Sequence, residues 1–177
     1  MNKITKRTRQ FLRALTAKMK PADHALVHCW LDKTEELLFY DMDVAIQLHS
    51  INVARTLEKL LAGETVDKSL LFRAALLHDI GKVKGQFTVL DRVWYVLVRK
   101  VSRRLVRKIA KKGSSSWLGK LRNAFYIHIY HGELGAQLVL REGLCGELAD
   151  LIRHHHDPAR QSDSLELSLL RQADELN

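Results

Sequence analysis

Apolar residues recur along this chain with the period of a helix rather than that of a strand. Within residues 23–39, Leu26, Trp30, Leu37 and Leu38 are spaced as one buried face. A next helix is expected to start at Asp41 or Asp43, to turn Ile46, Val53, Leu57 and Leu60 inward, and to close at Gly63. Asp67 is placed to cap a strongly apolar helix over residues 68–79, which Gly81 stops. Residues 133–140 and 147–156 read as two more helices, separated by Gly143 and Gly146. Asp163, with Glu166 three residues on, makes a capping-box-like start for a last helix that runs to about Leu176. Neither a pair of strands nor an internal repeat emerges, so the expected fold class is all-α.

Composition agrees with this pattern. Two prolines and nine glycines in 177 residues leave room for long helices, and a hydrophobic content of 46% supports one core. No stretch approaches the roughly 18 apolar residues that span a bilayer. The basic N-terminus lacks the apolar run of a secretory signal, and Cys29 and Cys145 have no metal-binding spacing. A cytoplasmic protein with two reduced thiols is the expectation.

The net charge of +9 is unevenly spread. Residues 1–20 hold seven Lys/Arg and no acid, and residues 91–122 hold eleven Lys/Arg against Asp91. The remainder has eleven Lys/Arg and nineteen Asp/Glu. The chain is therefore divided into a basic N-terminal helical arm over residues 1–21 and a helical domain over residues 22–177, with a basic insertion at about 85–123. An acidic body rich in carboxylates and histidines suits metal ions, and basic segments suit anions.

The histidines carry the chemistry. His78-Asp79-Ile80-Gly81-Lys82 ends the apolar run Ala74-Ala75-Leu76-Leu77 with polar groups. A carboxylate there is costly unless a cation or a donor meets it. His49 in Gln47-Leu48-His49-Ser50 and Asp174 in Arg171-Gln172-Ala173-Asp174 complete an ordered set of His, His-Asp and a late Asp. His131-Gly132-Glu133-Leu134-Gly135 and Ile152-Arg153-His154-His155-His156 lie between them.

In this order and spacing, from about residue 40 to 176, the chain resembles the HD-domain metal-dependent phosphohydrolases of the HDIG type. The resemblance implies a compact helical HD-domain-like bundle. It implies that His49, His78, Asp79 and Asp174 bind one metal. Asp79 would bridge to a second ion held by His131 and His155, with His156 and Glu133 as further ligands or supporting groups and His154 facing away. Lys82 resembles the family's lysine that contacts substrate phosphate. The implied cofactor is one or two divalent ions, Mn, Fe, Co, Ni or Zn rather than Ca. Such an ion lowers the pKa of a water that then attacks phosphorus, with Asp79 and Lys82 as the catalytic side chains. The expected substrate is a phosphomonoester, phosphodiester or anhydride of nucleotide-like character. A nucleotide-binding sensor with little turnover is the alternative. The sequence departs from the subgroup that hydrolyses cyclic di-GMP: Asp157-Pro158-Ala159-Arg160 follows the histidines, and that subgroup's Gly-Tyr-Pro element is absent.

Other histidines read as structural. His24 and His28 are four apart but lack a carboxylate motif, and His128 is three residues from His131. Residues 92–112 alternate Arg/Lys with Trp94, Leu97, Val98, Val101, Leu105 and Ile109 as a basic amphipathic helix. Its apolar face joins the core in the leading reading. A lid or site for a polyanionic substrate, an anionic membrane surface and nucleic acid are the competing ones.

Overall fold

The computed structural model describes residues 18–61, 65–82, 109–110 and 117–177, all in helices, turns and connections. The basic arm over residues 1–17, Gly63 and nearly all of residues 92–112 lie outside the described residues. The helices are α1 (Pro21–Trp30), α2 (Lys33–Tyr40), α3 (Val44–Leu60), α4 (Lys68–Leu77), α5 (Trp117–Arg141), α6 (Gly146–His154) and α7 (Leu165–Leu176). The described chain forms two units, one from the residues up to Leu77 with Ala159–Asn177, the other His78–Pro158.

In the first unit, what reads as one helix over residues 23–39 is two. Asp32 interrupts it with a reciprocal capping box: its Oδ1 accepts from Glu35 N at 2.9 Å, and its own N donates to Glu35 Oε2 at 3.0 Å. The break resets the helical phase. Leu37 is consequently 74% exposed, while Leu31 and Phe39 are buried. Pro21 opens α1, and Lys20 N donates to Asp23 Oδ2 at 2.7 Å. α3 packs against α4 and α7, and α1 and α2 lie on α3 and α4. Val27, Phe39, Ile51, Leu57, Leu71, Leu76 and Leu170 fill the core, and the Trp30 ring stacks on Phe72 at 4.2 Å. Two ion pairs tie the helices through buried acids: Arg55 Nη2 to Asp23 Oδ1 at 2.7 Å, and Arg73 Nε to Glu35 Oε1 at 2.7 Å. Asp67 caps α4 as expected, accepting from Leu70 N at 2.9 Å. The last helix starts one residue later than its pattern suggested. Ser164 Oγ accepts from Leu167 N, while Asp163 instead accepts from Arg160 N and Arg171.

In the second unit, residues 78–82 form a turn, so the apolar helix ends at Leu77 and not at Asp79. α5 is one long helix that includes His128 and His131, so Glu133 lies in mid-helix and not in a first turn. α6 packs along α5. Gly132 permits that approach, since a Cβ there would stand 2.8 Å from Arg153 O. Arg153 also donates to Glu133 Oε2 at 2.8 Å and pairs with Asp150. Ile109, an apolar position of the basic segment, packs against buried Phe125. No helix among the described residues is long and apolar enough to cross a membrane. Cys29 and Cys145 are both free and exposed.

Candidate metal centre

The second unit assembles Asp79, His131, His155 and His156, whose ligand atoms all lie within 4.8 Å of one another. They come from three local devices. Asp79 sits in the turn after α4, His131 on α5, and His155 and His156 in the turn that ends α6. α6 ends at His154, and His155 and His156 follow it directly. Their rings lie 4.1 Å apart, and His156 is 4.9 Å from the His131 ring. Asp79, His131 and His155 are buried and His156 is exposed.

Backbone carbonyls set the ring orientations. His131 Nδ1 lies 2.9 Å from His128 O, and His155 Nδ1 lies 2.6 Å from Ile152 O. A carbonyl only accepts, so each Nδ1 carries the proton and each Nε2 presents a lone pair. The two Nε2 atoms are 3.2 Å apart. Burial first, and then the Lys82 ammonium, hold His131 below its ordinary pKa. Burial and the neighbouring His78, His156 and His131 hold His155 well below its own. Both rings are thus neutral, and their close approach is one of two lone pairs, not a hydrogen bond.

Asp79 completes the face. Its Oδ1 lies 3.3 Å from His131 Nε2 and 3.9 Å from His155 Nε2. Burial alone raises a carboxyl pKa, but the surroundings, the Lys82 ammonium first, outweigh it and keep Asp79 well below the usual range. An ionised carboxylate beside two neutral imidazoles is the protonation state that metal binding requires. Donors about 2.0–2.2 Å from one transition metal stand about 3–3.5 Å apart. The His131–His155 and His131–Asp79 separations fall there, and the His155–Asp79 edge is wider. The donor set fits a divalent transition metal.

The turn needs Gly81. A Cβ there would stand 2.0 Å from His131 O and 2.9 Å from Gly135 N. Close approach of the turn to α5 is what brings Asp79 to His131. His78 is buried, with its Nε2 3.8 Å from Asp79 Oδ2 and its ring 5.1 Å from that of His155. Lys82 Nζ donates to Asp79 Oδ1 at 2.6 Å.

The first unit joins His49 on α3 to Asp174 on α7, Nε2 to Oδ1 at 2.8 Å. Asn177 Nδ2 donates to Thr56 Oγ1 at 2.9 Å, a second tie between these helices.

The remaining candidates lie elsewhere. Glu133 pairs with Arg153 and Gln137. His154 pairs with Asp157 at 2.8 Å. His24 meets Tyr40, and His28 meets Glu36 across α1 and α2. The carbonyls of His128 and Ile152 have no sequence signal, because any residue type supplies a carbonyl.

No curated protein and no solved structure matches the chain in comparisons with each. A family model, that of the HD domain, matches residues 47–177, a span that includes His49, His78-Asp79, His131, His155 and Asp174. HD domains bind divalent metals and are in general metal-dependent phosphohydrolases. The chain belongs to the HD-domain family.

Proposed function

We propose that this protein is a metal-dependent phosphohydrolase that cleaves a phosphate ester or anhydride of a small, nucleotide-like compound. The observation that carries this reading is the pair of carbonyl-anchored imidazoles, His131 and His155, presenting lone pairs to one ionised carboxylate, Asp79. In this reading these three, with His156, hold one divalent ion. As the family resemblance implies, His49, His78, Asp79 and Asp174 would hold another. Support for the second set comes from membership of the family and from the His49–Asp174 contact.

A divalent ion held by these residues would supply Lewis-acid polarisation of a phosphoryl oxygen and a lowered pKa for a water. His131 and His155 keep their ring planes fixed through Nδ1, so their Nε2 atoms need no reorientation. Asp79 supplies negative charge in a dry setting, where it acts most strongly. Lys82 holds a substrate phosphate by its charge.

Metal analysis of the purified protein, with turnover of bis(p-nitrophenyl) phosphate and a nucleotide panel, tests the proposal. Stoichiometric Mn, Fe, Co, Ni or Zn with phosphate release is expected. A metal-free preparation that stays inactive after addition of Mn or Fe overturns it.

A further inference from the structure

Asp79 Oδ1 is asked to do two things. It is the oxygen nearest His131 Nε2, at 3.3 Å, and the one that accepts from Lys82 Nζ, at 2.6 Å. An ion bridging Asp79, His131 and His155 needs the lone pairs of that same oxygen. An ammonium beside the ion would bring two positive charges within a few ångströms at a site where Asp79, His131 and His155 are almost wholly buried. Sharing Oδ1 between the two cations is therefore costly.

We infer that Lys82 and the metal compete for Asp79: the ammonium is the carboxylate's counter-ion without metal, and metal binding displaces it. This rests on the metal centre proposed above. The reason for a counter-ion is physical. A carboxylate buried among three histidines is costly with no cation near it, and a lysine three residues along the same turn supplies one. Lys82 also remains 14% exposed at its side chain, so its stem has somewhere to go. The consequence is a coupling. Metal entry frees a positive charge beside the site, and an anionic substrate gains an attachment point only once the ion that will act on it is present. By reciprocity, anything that draws Lys82 away from Asp79 raises affinity for metal.

The test compares wild type with Lys82→Met and Lys82→Gln, the latter keeping an N–H donor for Asp79. Binding of Mn(II) is measured by titration calorimetry, and thermal unfolding is followed with and without metal. Both variants should bind Mn(II) more tightly, by roughly tenfold, a usual size for coupled sites. The metal-free variants should melt below wild type, by about 2–4 °C, the shift expected in a chain of this size. That gap should close on saturation with metal, which a merely structural role for Lys82 would not produce. Unchanged or weaker Mn(II) binding in the variants, against a wild type that binds, overturns the competition and leaves the centre standing. Absence of Mn(II) binding in all three proteins overturns the centre and the competition with it.

Discussion

Asp174 Oδ1 lies 2.8 Å from His49 Nε2, although 125 positions separate them in the chain. The contact joins α3 to α7 and makes one late carboxylate a neighbour of one early imidazole. Asp174→Asn keeps the size and hydrogen-bonding reach of the side chain and removes its charge. It should reduce metal content and lower turnover by about 100-fold or more, with the melting temperature of the metal-free protein little changed. Wild-type turnover at full metal content in this variant would show that Asp174 is only a tie between helices.

Gly81→Ala should damage the centre before it damages the helices. The added methyl would collide with the His131 carbonyl, and neither backbone yields cheaply. A cost of about 1–3 kcal/mol is expected, the range for overpacking, with Asp79 pushed off His131. Metal content after purification, set beside far-ultraviolet circular dichroism, checks this. Lost helicity with metal retained would contradict it.

The buried Glu35 depends on Arg73. Arg73→Met should cost about 3–5 kcal/mol in urea unfolding, because it removes the guanidinium from a carboxylate that is 1% exposed. Adding Glu35→Gln should recover part of the loss, since the amide is cheaper to bury than the charge. A single-variant cost below about 1 kcal/mol would put this pair with ordinary surface ion pairs.

Asp23 should contribute to acid sensitivity. Burial acts to raise its pKa, but the Lys20 N–H and the Arg55 guanidinium outweigh that, leaving it below its ordinary value of 3.8. The folded protein therefore holds this proton less tightly than the unfolded chain does. The stabilisation is complete above the unfolded pKa and disappears as pH falls through the lower, folded one. Asp23→Asn should be less stable than wild type near neutrality, and the difference should narrow on acidification toward and below pH 3.8. Chemical denaturation at several pH values measures it. A constant difference across that window is the contrary result.

Chelation should remove both activity and part of the stability. A ligand that binds only the folded state, at 100 times its dissociation constant, stabilises by about 2.7 kcal/mol. Dialysis against a chelator should lower the melting temperature and abolish phosphate release, and Mn or Fe should restore both.

Much of this was legible in the residues. The periodicity of α3 and the Asp67 cap of α4 are local signals, and local signals survive folding. The order His49, His78-Asp79, Asp174 pointed to the family because metal chemistry fixes residue types. Other features were misread where two local rules competed. The run over residues 23–39 hid a break, although the Asp32–Glu35 capping box was written in it. Residues 78 and 79 follow the apolar run of α4 without a breaker before Gly81, yet the chain turns there, where Gly81 closely approaches α5. The start of α5 at Trp117 was obscured by the insertion before it, so Glu133 passed for a first-turn acid. The anchoring of His131 and His155 by carbonyls was out of reach of any reading of side chains.

The two exposed cysteines have a use that follows from their positions. Cys29 lies on α1 in the first unit and Cys145 opens α6 in the second. They are the sole thiols in the chain. A nitroxide attached to each therefore yields, without any engineered handle, a distance distribution between the units by pulsed electron resonance.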